Sequence, residues 1–228
     1  MPSKNETKIY IADSYYHIYN RGVEQRTIFL DQQDYAVFLS YLKNYLIPKN
    51  EEKLRSLISQ TTSSRKRDML IKILRMKNYA GEIRLHAFTL MPNHFHLLIH
   101  QKSPTAMPRF IHSLQTRYCM YFNLRYKRTG GLCEGNYKAV RVESDAQLLE
   151  LTRYIHRNPL PLLQGEPLES YKYSSYDAYI GNQSLEWLYA EPILRFFSKE
   201  NPLLSYKAFV EHGQNLELIS STCIDEFV

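Results

Sequence analysis

The sequence reads EIRLHAFTL at residues 82–90 and HFHLLIH at residues 94–100, with Met-Pro-Asn between them. In the first stretch Ile83, Leu85 and Ala87 alternate with Arg84, His86 and Phe88, which is the pattern of a strand, and we interpret the second stretch as another strand. Because the connection is so short, the two strands are expected to pair as an antiparallel hairpin. This hairpin is the centre of the predicted fold, because the other predicted strands and helices lie before and after it in the sequence.

The segments around the hairpin predict a split β-α-β arrangement. Residues 14–20 form a first strand, and the helix that follows it ends at Pro48. After the hairpin come a long helix at 105–127, a strand at 137–143 and a helix that begins at Ser144. The order of the first six elements is that of a ferredoxin-like fold. We therefore predict an α+β protein with an antiparallel sheet and helices on one face.

Two further regions extend this core. Residues 49–80 have apolar side chains at helical spacing and predict a helical insertion. We place the core at 1–163 and a C-terminal extension, packed on the core, at 164–228. The core has 25 Lys and Arg against 13 Asp and Glu, whereas the extension has 4 against 10. A basic core favours a polyanionic partner such as nucleic acid.

The composition excludes several classes of protein. With 228 residues, 44% hydrophobic and 23% charged, the chain is an ordinary globular sequence. No apolar run has the length of a transmembrane helix, and the first residues lack the apolar segment of a signal peptide. The cysteines are too far apart in sequence for a zinc pattern or a disulfide framework. We therefore expect a cytoplasmic protein that does not contact membranes.

Two local patterns are candidates for chemistry. His94 and His96 are two residues apart in a strand, so both imidazoles lie on one face and could bind one divalent metal ion. Such a pair alone is more often structural. Tyr154 and Asn158 are four apart on a helix and share a face, as a nucleophilic phenol and an amide ligand would. The simpler interpretation is that Tyr154 packs on the sheet and Asn158 caps the helix.

Four segments occur together, in this order, in a known family. They are YYHIYNRG (15–22), FTLMPNHFHLLI (88–99), LLELTRYIHRNPL (148–160) and YSSYDAYIG (173–181). In combination they resemble the HUH single-tyrosine transposases of bacterial insertion sequences. Asn158 stands where many transposon-encoded relatives have Gln, and in this the sequence is similar to the REP-associated tyrosine transposase branch. The resemblance covers about residues 14–190.

Carried onto these positions, the resemblance implies that His94, His96 and Asn158 bind Mg²⁺ or Mn²⁺ and that Tyr154 is the nucleophile. The implied substrate is single-stranded DNA beside a small REP-like hairpin. Tyr154 would attack a phosphodiester, form a 5′-phosphotyrosine bond and release a 3′-OH, which can reverse the step and rejoin strands. The resemblance leaves open whether the protein is a monomer or a homodimer that exchanges the tyrosine helix.

DNA binding needs cationic and polar side chains of its own. The helix at 105–127 has no acidic residue, and the predicted strands and turns carry further polar side chains. The candidates are Arg21, Asn93, Arg109, Arg117, Lys138 and Arg141. Two other functions stay open at this point: a domesticated, catalytically silent module that binds DNA hairpins, and a metallohydrolase that uses water as its nucleophile.

Overall fold

A computed structural model describes residues 10–212 of the chain; the ends of the predicted core and extension, 1–9 and 213–228, lie outside the described residues. Its centre is an antiparallel sheet in the order β2-β3-β1-β4. The strands are β1 (Ser14–Arg21), β2 (Ile83–Met91), β3 (His94–Gln101) and β4 (Lys138–Arg141). This is the strand order of the split β-α-β pattern, so the predicted ferredoxin-like α+β fold is confirmed.

The two helices of that pattern, α1 (Gln32–Leu46) and α4 (Ala106–Arg125), lie on one face of the sheet and bury the larger hydrophobic core with it. The helix α1 begins where the Asp31 side chain accepts hydrogen bonds from the backbone N–H groups of Gln33 and Asp34. Its end at Leu46 comes just before Pro48, whose ring disfavours helical geometry in the residue that precedes it.

The opposite face of the sheet is covered by α5 (Asp145–Arg157), which packs against Leu98 of β3, so helices lie on both faces and not on one face as predicted. Its N-terminus is capped by Ser144, whose hydroxyl accepts from the backbone N–H of Gln147 at 3.2 Å. Phe95 and the other residues of β3 with the same parity face α1 and α4. The strand period of two therefore directs His94, His96 and Leu98 towards α5.

The predicted helical insertion is present as α2 (Glu51–Gln60) and α3 (Ser64–Arg75), which pair as a helical hairpin. Of the side chains on these two helices only Leu70 is buried. The base of the hairpin is attached to α1, because the backbone N–H of Tyr79 donates to the carbonyl of Tyr45 at 2.8 Å. We call these two helices the α2–α3 arm.

The extension contributes short helices that pack on the α5 side of the sheet. After α6 (Leu160–Leu163) they are α7 (Tyr176–Tyr179), α8 (Glu191–Leu194) and α9 (Tyr206–Glu211). The backbone N–H of Leu90 donates to the carbonyl of Tyr173 at 2.9 Å, which joins the extension to β2. A domain boundary at 163/164 stays a prediction. Within residues 10–212 no helix combines the length and apolar character that crossing a membrane requires.

Candidate active site

Strand β3 supplies the first part of the candidate site. His94 and His96 lie next to each other on the α5 face, with ring centroids 4.9 Å apart and ring planes nearly perpendicular. The register of the sheet places Arg21 of β1 opposite His94 and Tyr19 opposite His96. The end of the β2–β3 hairpin therefore presents two imidazoles beside a guanidinium and a phenol.

Helix α5 supplies the second part. Tyr154 and Asn158 lie four residues apart at the C-terminal end of the helix, on the side that meets the sheet. The Oδ1 atom of Asn158 is 3.2 Å from Nε2 of His94. The Tyr154 ring meets the His96 ring edge-on, with centroids 5.5 Å apart. The structure thus brings together the four side chains that the sequence suggested for chemistry.

Buried hydrogen bonds fix the position of α5. On the sheet side, the Thr89 hydroxyl donates to the carbonyl of Ile155 at 2.6 Å. On the other side, the His156 ring is bonded at Nδ1 to the Tyr206 hydroxyl (2.6 Å) and at Nε2 to the Ser175 hydroxyl (2.7 Å). Burial lowers the pKa of His156 to about 3, so this imidazole is neutral, with one donor and one acceptor nitrogen. Both the sheet and the extension therefore hold the tyrosine helix.

His94 and Asn158 are arranged as two ligands of one cation would be. Nδ1 of His94 lies 2.6 Å from Oδ1 of Asn93, and Nε2 lies 3.2 Å from Oδ1 of Asn158. A neutral imidazole carries one proton and can donate to only one of these oxygens. In the tautomer with the proton on Nδ1, in the shorter contact to Asn93, Nε2 of His94 and Oδ1 of Asn158 both present lone pairs, as two ligands of a metal ion would.

The Nε2 atom of His96 is a second nitrogen that is available as a ligand atom. Its Nε2 atom is buried and has no hydrogen-bond partner among the described residues. Burial, together with the nearby His94, His17 and Arg21, holds the pKa of His96 well below its ordinary value, so the ring is neutral. Among residues 10–212 no group of three or more His, Cys, Asp or Glu side chains could hold a metal ion. A metal ion held beside β3 would therefore need a ligand of another residue type, and the side-chain oxygen of Asn158 is the one that contacts His94.

A cleft next to the imidazoles is lined by charged and polar side chains from β1, β3, β4 and the loop before β4. They are Tyr19, Asn20, Arg21, His94, His96, Glu134 and Lys138. The Nζ atom of Lys138 lies 5.8 Å from the centroid of the Tyr19 ring. Two predicted DNA-binding residues, Arg21 and Lys138, thus lie at the site, where Glu134 partly offsets their charge. A third, Asn93, contacts His94 directly.

The other three predicted DNA-binding residues are not at this site. Arg109 and Arg117 are on α4, which covers the opposite face of the sheet, and the register of β4 turns Arg141 to that same face. Arg109 forms an ion pair with Glu82, and the Arg117 guanidinium lies 4.1 Å from the centroid of the Tyr41 ring. The lack of acidic residues in α4 indicated charge but not the face on which it lies. A contact of these residues with DNA elsewhere stays a prediction.

Sequence reasoning assigned no role to His17, which lies in β1. This residue is fully buried, and its Nε2 atom lies 2.9 Å from Nδ1 of His96. The signal that could have found it is the strand period of two. Arg21 was already a candidate, and residues two and four positions before it in a strand lie on the same face. The period therefore places Tyr19 and His17 on the face that carries Arg21.

Comparison with known proteins identifies the family. The sequence model of the family described as "Transposase IS200 like" matches residues 36–158, which is more than half of the chain. The chain belongs to the IS200-like transposase family. The matched segment of this transposase contains His94, His96, Tyr154 and Asn158, and the family resemblance that these motifs carried is confirmed. Strand β1, with His17, lies outside it.

Two solved structures are similar to this transposase. One is described as a REP-associated tyrosine transposase bound to a REP hairpin; it is 9% identical, with 82% of this chain and 98% of that chain covered and a TM-score of 0.46. The other is a candidate transposase from Deinococcus radiodurans, 16% identical, with 67% and 96% covered and a TM-score of 0.28. No curated protein matches this transposase. The family assignment therefore rests on the sequence match.

Proposed function

We propose that this chain is a metal-dependent, HUH-type single-strand DNA transesterase that nicks and rejoins DNA beside REP-like hairpins. The observation that carries the proposal is the meeting of Tyr154 and Asn158 from α5 with His94 and His96 from β3. The cleft is lined by His94, His96 and the positively charged Arg21, and Tyr154 and Asn158 contact the two imidazoles from α5. The hairpin is proposed from the resemblance to the REP-associated branch.

The proposed reaction balances without an external energy source. The Tyr154 phenolic oxygen forms a bond to phosphorus, the bond from phosphorus to the 3′ oxygen breaks, and the phenolic proton ends on that oxygen as a 3′-OH. The product is a 5′-phosphotyrosine bond. Because one phosphodiester replaces another, the 3′-OH of a second strand end can reverse the step and join strands without ATP.

The site residues have distinct tasks in this proposal. A free phenol has a pKa of about 10 and is a weak nucleophile at neutral pH, so the site has to assist it. His94, His96 and Asn158 would hold Mg²⁺ or Mn²⁺, which acts on a phosphate as a Lewis acid. Imidazole ligands suit Mn²⁺ better than Mg²⁺, which prefers oxygen. Arg21 would bind the phosphate beside the scissile bond.

A denaturing gel tests the proposal. The substrate is a single-stranded hairpin oligonucleotide from the flanks of the gene, labelled at its 3′ end, with Mg²⁺, Mn²⁺ or EDTA. We expect a slowly migrating, protease-sensitive adduct that requires metal. Cleavage without an adduct would show a hydrolase that uses water. Binding without cleavage, found with two different hairpins, would show a silent DNA-binding module. Either of these results overturns the proposed activity.

The α2–α3 arm is the strongest candidate for an additional phosphate contact. Residues 49–77 carry nine Lys and Arg against three acidic residues. Arg65 and Lys66, in the first turn of α3, are exposed and form no ion pair with another described residue. Affinity for DNA falls as salt rises, and each phosphate contact makes the slope of log affinity against log salt more negative by about 0.7–0.9. We expect the double variant Arg65→Gln/Lys66→Gln to make this slope less steep by about 1–2.

The matched control is the double variant Lys172→Gln/Lys199→Gln, which removes the same charge from the extension. Salt titrations of hairpin binding by fluorescence anisotropy compare the two. The control is expected to keep the wild-type slope. Equal slopes in both double variants would show that the arm does not touch DNA.

A further inference from the structure

His17 is a buried polar group that the proposed reaction does not use. Its Nε2 atom lies 2.9 Å from Nδ1 of His96, and the two rings stack with centroids 5.1 Å apart and planes 17° apart. Tyr19 and Tyr154 pack beside it, with ring centroids 5.0 Å and 6.1 Å from that of His17. His17 therefore contacts the candidate ligand His96 from the side away from Nε2.

The contact between the two imidazoles decides which nitrogen of His96 carries the proton. A neutral imidazole has one N–H and one lone pair. If His17 donates, His96 keeps its proton on Nε2, a buried position with no acceptor among the described residues, and a buried donor without a partner is costly. If His96 donates from Nδ1, its Nε2 atom presents a lone pair, as a metal ligand must.

We propose that His17 is a positioning residue: it accepts a hydrogen bond from Nδ1–H of His96 and thereby keeps the Nε2 lone pair of His96 available to the metal ion. The inference rests on the proposed function, because it takes His94, His96 and Asn158 as the ligand set. His17 acts only through His96. Partners of this kind commonly change metal affinity by about 10- to 100-fold when they are removed.

Three variants separate this role from simple packing. His17→Leu keeps most of the volume but removes the acceptor, whereas His17→Gln places an amide oxygen near the position of Nε2. His100→Leu is the matched control, since His100 lies on the same face of β3 but packs against Tyr15, with ring centroids 5.0 Å apart. Mn²⁺ binding is measured without DNA, from the electron paramagnetic resonance signal of the free ion.

We expect His17→Leu to bind Mn²⁺ about 10- to 100-fold more weakly than wild type. His17→Gln should recover most of that loss, and His100→Leu should bind as wild type does. Wild-type Mn²⁺ affinity in a folded His17→Leu variant would overturn the positioning role alone. If instead wild type binds Mn²⁺ no better than His96→Ala, the metal site of the proposed function fails, and the positioning role fails with it.

A second measurement needs no substitution and covers the case in which His17→Leu does not fold. Long-range ¹H–¹⁵N spectra of the wild-type imidazoles report which nitrogen of each ring is protonated. We expect His96 in the Nδ1–H form with the metal-free protein. A His96 ring protonated at Nε2 would overturn the inference whatever the metal affinity.

Discussion

Tyr154→Phe is expected to abolish both strand cleavage and the covalent protein–DNA adduct, while hairpin binding stays within about tenfold of wild type. The substitution removes one hydroxyl, which is worth about 1 kcal/mol as a binding contact but is indispensable as a nucleophile. The ring of Tyr154 is 7% exposed and packs against His96, and phenylalanine preserves that packing. The measurement is the denaturing gel, with binding followed in parallel by anisotropy.

Two other tyrosines serve as controls for this prediction. The Tyr176 hydroxyl is buried and has no partner among the described residues, so Tyr176→Phe should cleave as wild type does. Tyr19 is the phenol that lines the cleft beside the imidazoles. If cleavage survives in Tyr154→Phe and is lost in Tyr19→Phe, the nucleophile is Tyr19 and our assignment of Tyr154 is wrong.

The fold could be predicted because each element has a local cause in the sequence. Alternation at 82–90 and the short turn before 94–100 predicted the hairpin, and the side-chain caps Asp31 and Ser144 mark the starts of α1 and α5. The strand predicted at 137–143 is shorter, at Lys138–Arg141, because the paired ladder with β1 covers Lys138 to Arg141. Strand ends of this kind depend on the partner strand and not on local pattern.

Local sequence pattern predicts the site only as two separate pairs of residues, which the family resemblance then joins. The strand period places His94 beside His96, and the helix period places Tyr154 in line with Asn158. Nothing local states that the two pairs meet, since that depends on tertiary contacts such as the Thr89 bond to α5. His17 was missed for a related reason, because a buried histidine whose partner is another histidine leaves no charge pattern to recognise.

The histidine pair of β3 and the Tyr154–Asn158 pair of α5 come together within one chain. Tyr154 lies over the imidazoles of its own β3, and the extension holds α5 there through the contact of Arg153 with Phe209, where the guanidinium carbon is 3.5 Å from the ring centroid. Arg157 of α5 also donates to the carbonyl of Val210 at 2.7 Å. A single chain can therefore assemble the whole cluster, while the oligomeric state in solution stays a prediction.

His96→Ala is expected to abolish metal-dependent cleavage and to remove Mn²⁺ binding at this site. The substitution deletes the ligand whose buried Nε2 has no other partner, so the ion loses one of three protein ligands. Lewis-acid assistance to a phosphoryl oxygen is worth several kcal/mol, which corresponds to a loss in rate of about 10³-fold or more. Gel assays over a range of Mn²⁺ concentrations measure this loss, with His100→Ala as the control on the same face of β3.

Binding of hairpin DNA distinguishes a variant that has lost only its metal-ligating side chain from one that no longer folds. Arg21 and Lys138 lie in the same cleft but are untouched by the substitution, so a folded His96→Ala protein should still bind hairpin DNA in EDTA as wild type does. Partial recovery of cleavage at high Mn²⁺ would show that affinity for the ion is what was lost. Wild-type cleavage by a folded His96→Ala protein at low Mn²⁺ would contradict the ligand assignment, because no described residue other than His96 places an unpartnered imidazole nitrogen beside His94 and Tyr154.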